Sequence, residues 1–171
     1  MSMISDGTNG LTFNNATTQN SGGKVLQVVY GYYNTYTSTN STSLVSTGLT
    51  ASITPLFSTS KILIFSSILG VYCSQSNNAA NLQICRNGSS VSYWDDVVGN
   101  GTANAQSYDT SVSYLDSPST TSSTAYTIYW KRVGTGTGSI FINNYEATSG
   151  QTVSTITLME IAHVALGVLM Q

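Results

Sequence analysis

The chain has 171 residues, a mass of 18.1 kDa, a formal net charge of −2 and a sequence pI near 4.9. That is one domain of ordinary size, long enough to bury about 70% of its unfolded surface without disulfide or metal staples. Charged residues are only 7% of it, with one His and seven carboxylates. There is therefore no basic field for nucleic acid, no acidic tail and little general acid–base machinery.

The polar share is neutral instead, with 27 Ser, 24 Thr and 14 Asn. Hydrophobic residues at 40% place the chain outside the disordered class, which combines low hydrophobicity with high charge. Thr, Val, Ile and Tyr favour strands, and 15 Gly against two Pro supply turns. The composition predicts an all-β fold.

Residues 1–22 are polar and rich in Gly, Asn and Thr, with Leu11 and Phe13 as the apolar anchors. They cannot build a core alone, so they read as a short extended arm ending at Gly22-Gly23 that orders against its own domain, a sister chain or a partner. Neither a basic region nor an apolar stretch marks this end as a secretory signal. The β domain, 23–163, starts with a strand rich in β-branched and aromatic residues over 24–33. A Ser/Thr/Asn loop follows over 34–43. Strict alternation over 43–55 sends Leu49, Ala51 and Ile53 to one side and Thr50, Ser52 and Thr54 to the other.

Residues 61–73 are nearly continuously apolar, the pattern of a central strand covered on both faces. Segments 80–86 and 89–96 flank Asn87-Gly88, a pair whose tolerance of positive φ makes it the strongest short hairpin signal. Further strands are expected over 107–116, with Val112 and Tyr114 on one side, and over 124–133, 138–145 and 152–162. The run Gly134 to Ser139 reads as a loose hairpin loop. Eight or nine strands with turns every 8–15 residues, and no helical crossover, predict an antiparallel β-sandwich or jelly roll. The last segment, 164–171, is an apolar C-terminal tail, too short to span a bilayer and expected to be buried in an interface.

Chemistry-bearing residues are sparse. Asp6, Asp95, Asp96, Asp109, Asp116, Glu146 and Glu160 read as solvated loop and strand-end acids. A glycosidase needs two carboxyls facing each other across a cleft, and Asp95 and Asp96, as neighbours, point to opposite faces. His163 lacks a nucleophile partner and reads as a packing or capping residue. Cys73 and Cys85 have no metal-ligand spacing and read as small buried hydrophobes, with a cross-strand disulfide as the other option. The Gly134/Gly136/Gly138 loop lacks the Lys and helix of a phosphate cradle. Sequons at Asn15, Asn40, Asn87 and Asn100 follow from composition. No catalytic residue, metal or cofactor is expected.

The binding-type signal is aromatic. Tyr and Trp give contact area at low entropy cost beside adaptable Ser, Gly and Asn. Tyr93-Trp94, the Tyr30/Tyr32/Tyr33/Tyr36 group and the Tyr126/Tyr129/Trp130 group are the candidates, against packing in the core or between subunits. Leu11, Phe13, Tyr93 and Trp94 are the expected partner- or receptor-binding residues.

The runs 23–33 (GKVLQVVYGYY), 41–65 (STSLVSTGLTASITPLFSTSKILIF), 111–131 (SVSYLDSPSTTSSTAYTIYWK) and 154–162 (STITLMEIA) resemble a family of tailed-bacteriophage virion proteins. These are described as tail-fibre or virion structural proteins, of the marine, freshwater and cyanobacterial phage type. The resemblance covers about 140 residues, and its motifs mark strands and turns. It implies a trimeric jelly roll on the exterior of the phage particle. Residues 163–171 extend past the usual end of such chains, and the N-terminal arm is too short for a fibre shaft.

The expected function is that of a non-enzymatic, tail-fibre-like virion protein with a host-adhesion role. The expected partners are sister chains in a homotrimer, other virion proteins through the arm, and a host cell-surface glycan or protein. Nucleic acid and membrane insertion are not expected. A capsid decoration, cement or head-fibre protein is the alternative, and a carbohydrate-cleaving spike is a more distant one.

Overall fold

The structure, a computed structural model, describes residues 4–6, 10–12, 18–19, 24–75, 77–94, 108–145 and 150–162. In chain order these form β1 (Ile4–Asp6), β2 (Gly10–Thr12), β3 (Thr18–Gln19), β4 (Val25–Tyr33), β5 (Thr37–Thr39), β6 (Val45–Ile53), β7 (Lys61–Cys73) and β8 (Asn78–Arg86). They continue as β9 (Ser89–Trp94), β10 (Tyr108–Asp116), β11 (Thr124–Gly134), β12 (Ile140–Ile142), β13 (Asn144–Tyr145), β14 (Gly150–Gln151) and β15 (Ser154–Ile161). No helix occurs among the described residues.

Two of the elements are halves of one strand. β15 pairs with β7 from Lys61 to Ser67 and β12 pairs with it at Tyr72 and Cys73. Leu69 bridges the gap on the same edge: its carbonyl accepts from the Asn143 N–H and its own N–H donates to Ser154 Oγ. The chain thus leaves this ladder after Asn143, makes the small β13–β14 hairpin, and returns at Ser154. β4 and β5 form the neighbouring interrupted strand, pairing with β15 and β12 respectively.

Counted this way, the described residues of the body form eight strands besides that hairpin. The first, eighth, third and sixth form one antiparallel sheet (β4/β5, β12/β15, β7, β10). The second, seventh, fourth and fifth form the other (β6, β11, β8, β9). This order is the jelly roll, in which two Greek keys interleave across two sheets.

The core lies between the sheets. Leu49, Ile53, Ile62, Ile64, Ile68, Leu82, Ile84, Tyr126, Ile128, Trp130, Ile140, Ile142, Ile156 and Leu158 are all fully buried there. Each such aliphatic side chain stabilises the fold by roughly 1.5–3 kcal/mol relative to exposure. The alternation over Leu49 to Thr54 matches the expectation, apolar side in and hydroxyls out. At Asn87-Gly88 both residues take positive φ, 48° and 85°, and β8 pairs with β9 across that turn.

Three expectations need correction. β7 is central but covered on one face only: Ile62, Ile64 and Ile68 point into the core, whereas Phe65 is exposed on the other side. The strand buried on both sides over much of its length is β8, from Asn78 to Leu82 and again at Ile84 and Cys85. The Gly134–Ser139 loop is pinned rather than loose. The Asn77 carbonyl accepts from the Thr135 and Gly136 N–H groups, and Arg132 donates to the Gly136 carbonyl and to Asn78 Oδ1. Within 1–22, expected as an extended arm, β1, β2 and β3 pair with one another as a small antiparallel meander. The tail 164–171 lies outside the described residues.

Gly31 on β4 sits in close contact with β6 of the other sheet. A Cβ there would collide with the Thr50 carbonyl oxygen and sit 3.2 Å from Ala51 Cβ and 3.1 Å from Ile156 Cγ2. Backbone cannot yield as a side-chain tip does. Gly31→Ala is therefore expected to cost about 1–3 kcal/mol, the usual penalty of overpacking, read as a lower urea midpoint at unchanged slope.

Candidate functional site

Alternation along each strand leaves the first sheet with an outer face turned away from the core. Its composition follows from register. Val28 on β4, Met159 on β15, Leu63 on β7 and Leu115 on β10 stand side by side in one row. The next row is Tyr30, Thr157, Phe65 and Ser113, and the third is Tyr32, Thr155, Ser67 and Ser111. Val28, Tyr30, Tyr32, Phe65 and Leu115 are exposed. No charged side chain occurs in these twelve positions. Lys61, paired with Ile161, and Asp109, whose carboxylate accepts from the Gly70 N–H, lie beyond the two ends.

The relief of this face is uneven. On the β4 edge Tyr30 and Tyr32 stand 60% and 63% exposed, their rings stacked at 6.3 Å between centroids. They form a ridge. Towards the β10 edge, Phe65, Ser67, Ser111, Ser113, Thr155 and Thr157 line a shallow depression of about 390 Å³. Ser111 Oγ reaches Ser67 Oγ at 3.3 Å, so the rim hydroxyls are mutually engaged. Past the depression, Phe141 packs between Tyr36 and Tyr72 at centroid distances of 5.5 and 5.1 Å. Burial, and then the neighbouring Tyr72, raise the Tyr36 pKa.

At the opposite end Lys24 and Ala162 lie side by side. The Ala162 N–H donates to the Lys24 carbonyl, and the 54–60 loop beside them exposes Leu56 and Phe57. Glu160 holds that loop. Its carboxylate, fully buried, accepts from Gln27 Nε2 at 2.6 Å, the Leu56 N–H at 2.8 Å and the Phe57 N–H at 3.4 Å. Burial pushes its pKa up. The bonds from Gln27 and the two backbone amides outweigh that and hold it below the ordinary 4.5.

A carboxyl whose folded pKa is depressed contributes stability above its unfolded pKa and loses it as pH falls through the folded value. Acidification below about pH 4.5 should thus loosen the 54–60 loop. Glu160→Gln should lower stability at neutral pH and flatten the acid limb of the stability profile. An acid limb unchanged by the substitution would show that other carboxylates carry it.

The sequence-predicted site residues fall apart in space. Tyr93 is 66% exposed, but on the outer side of the second sheet. Trp94 turns inward and packs against the core. Leu11 lies in β2, and Phe13 lies outside the described residues. Tyr126 and Trp130 are core residues, and Tyr33 turns onto the core with its hydroxyl 2.8 Å from Thr37 Oγ1. Cys73 and Cys85 are buried and form no disulfide, and burial pushes the Cys73 thiol up to about 11.

Asp116 and Glu160, expected as solvated acids, are buried and fully engaged, because each accepts bonds that tie separate elements together. Asp95, Asp96, Glu146 and His163 lie outside the described residues. Among the described residues no three His, Cys, Asp or Glu side chains gather into a metal-binding group, and no helix is long and apolar enough to cross a membrane.

The outer face of the first sheet is a feature that residue-by-residue inspection missed. The signal was present: Val28, Tyr30, Leu63, Phe65 and Leu115 all sit on the side of their strands opposite the core residues. Without the register of β4 with β15 and of β7 with β10, nothing in the sequence showed that they adjoin. No family model matches the chain, and no curated protein matches it.

Proposed function

We propose that this chain is a non-enzymatic structural subunit of a bacteriophage virion. It is displayed on the particle exterior as a homotrimer and acts, in the manner of a tail fibre, in adhesion to the host surface. The observation that carries this is a jelly roll with an uncharged apolar and hydroxyl face outside its core. Jelly rolls serve as capsid and lectin domains, a fold-level analogy. The outer face is where this chain departs from an ordinary solvated sheet. The phage-virion resemblance of its strand motifs points the same way.

The domain has a direction that suits display. The segments preceding Lys24 and following Ala162 join it at one end, beside exposed Leu56 and Phe57. That end is assigned to attachment, with Leu11 and Phe13 gripping another virion protein. The far end, with the Tyr36–Phe141–Tyr72 cluster and the pinned 134–139 loop, is assigned to the host surface. The same attachment geometry would serve a capsid decoration protein, which is the second reading.

Labelling intact purified particles with an antibody to residues 24–162, followed by electron microscopy, tests this. Label on the tail is expected. Label on the head would select the decoration reading, and particles that lack the chain would overturn both.

A further inference from the structure

We propose that the Tyr30–Tyr32 ridge of one copy seats in the Phe65–Ser113 depression of a second copy of this chain. This goes beyond the homotrimer reading above and names a surface that pairs two copies of the chain. Ridge and depression share one face, but the Tyr30 and Tyr32 rings stack on each other and do not line the depression, so a chain does not fill its own depression with its own ridge. A second copy can.

The chemistry of the two patches matches. The depression offers one aromatic wall, Phe65, and a rim of Ser67, Ser111, Ser113, Thr155 and Thr157. A tyrosine ring carries an apolar body and a polar tip, which suit that wall and that rim. The serines of the β10 edge leave the room that the ridge on the β4 edge occupies. Beside both runs the row of Val28, Met159, Leu63 and Leu115, which the same contact would cover.

The three rows span roughly 400 Å² of sheet at standard strand and residue spacings. That is within the size of the largest apolar patches on monomers, which are often functional. It is about half of the 800 Å² that each partner contributes to a stable interface. Because these positions carry no charge, the face does not select a charged partner. Its hydroxyls both donate and accept, so it can satisfy a copy of itself. Since ridge and depression lie on one face and point the same way, two copies meet face to face about a two-fold axis, each ridge in the other copy's depression, an isologous contact.

Analytical ultracentrifugation with far-UV circular dichroism tests the contact on the full chain, using the exposed positions Tyr30 and Ser113 so that folding is kept. Wild type should assemble at micromolar concentration. Tyr30→Glu and Ser113→Lys should each weaken assembly at least tenfold with unchanged dichroism, and the double variant should reassemble, because the new charges then meet across the contact. Assembly of either single variant as strong as wild type would overturn the contact, as would a double variant that stays dissociated. A wild type that is monomeric but associates once residues 163–171 are removed would also overturn it, by assigning the face to the chain's own tail. A wild-type assembly that the single variants dissolve, in a chain absent from particles, would sink the virion role and leave the contact standing.

Discussion

Asp116→Ala is expected to lower the stability of the domain by about 2–4 kcal/mol, equivalent to a fall in Tm of roughly 5–15 °C for a chain of this size. Asp116 ends β10 in the first sheet, and its partners stand in the second. Tyr126 Oη on β11 donates to Oδ2 at 2.6 Å, and Arg86 Nη1 on β8 reaches Oδ2 at 2.8 Å and Oδ1 at 3.0 Å. Tyr126 is fully buried. Burial first, and then the Asp116 carboxylate, push its pKa far up, so it remains a donor at any ordinary pH.

Removing the carboxylate leaves that fully buried hydroxyl without its acceptor. Breaking a buried ion pair costs about 3–5 kcal/mol, but the Arg86 side chain is 32% exposed and can rotate into solvent, which lowers the expectation. Tyr126→Phe leaves the pair with Arg86 intact and should cost only about 1–2 kcal/mol. Urea denaturation of the three proteins at one fixed concentration checks the ordering. A loss below 1 kcal/mol for Asp116→Ala would mean that the sheets are held by apolar packing alone.

That bridge also shows where sequence reasoning stops. Every strand with its own periodicity or turn chemistry was legible. Alternation at Leu49–Thr54 and the Asn87-Gly88 turn each decide local structure from local residues. β5 was not legible, because Thr37–Thr39 has no periodicity of its own and is a strand only because β12 lies beside it. β7 was misread for a related reason. Leu63, Phe65 and Leu69 made it look covered on both faces, and one of those faces is the exposed surface described above.

Two acids were misjudged because nothing near Asp116 or Glu160 in sequence announces Tyr126 or Gln27. Burial of a carboxylate is decided by partners 10 and 133 residues away. The aromatic groups divided similarly. Tyr30 and Tyr32 are displayed and Tyr33 is not, as alternation requires. Tyr126 and Trp130 share a strand face with Ile128 and are core. Tyr93 and Trp94, adjacent in sequence, necessarily point to opposite sides of β9. Adjacent aromatics on a strand are thus split between two surfaces.

One polar knot ties the two interrupted strands of the first sheet together, and breaking it should have the larger structural consequence. Asn143 sits at φ 58°, where its side chain crosses from one interrupted strand to the other. Nδ2 donates to the Tyr33 and Thr35 carbonyls at 3.0 and 3.1 Å, and Oδ1 accepts from Ser154 Oγ at 2.6 Å. Ser154 in turn accepts from the Leu69 N–H at 3.0 Å. Asn143 and Ser154 are both buried.

Asn143→Ala would leave two carbonyls and a hydroxyl without their partner, at about 1–3 kcal/mol for each buried group, and would force a β-carbon into a left-handed conformation at a further 1–2 kcal/mol or so. The expected loss is about 3–5 kcal/mol, since some of the orphaned groups can find water as the knot opens. Asn143→Gly removes the backbone strain and keeps the hydrogen-bond loss, so the difference between the two variants isolates the strain. Hydrogen exchange locates the damage: amides of β5 and β12 should lose protection first, while those of β8 and β11 keep theirs. Because β4 and β5 run beside β15 and β12 through this knot, a slip here would also carry Tyr30 and Tyr32 out of line with Thr157 and Phe65. An Asn143→Gly chain that still folds should therefore assemble less tightly than wild type. Uniform loss of protection across both sheets would instead show that the knot stabilises the domain globally without governing the alignment of its outer face.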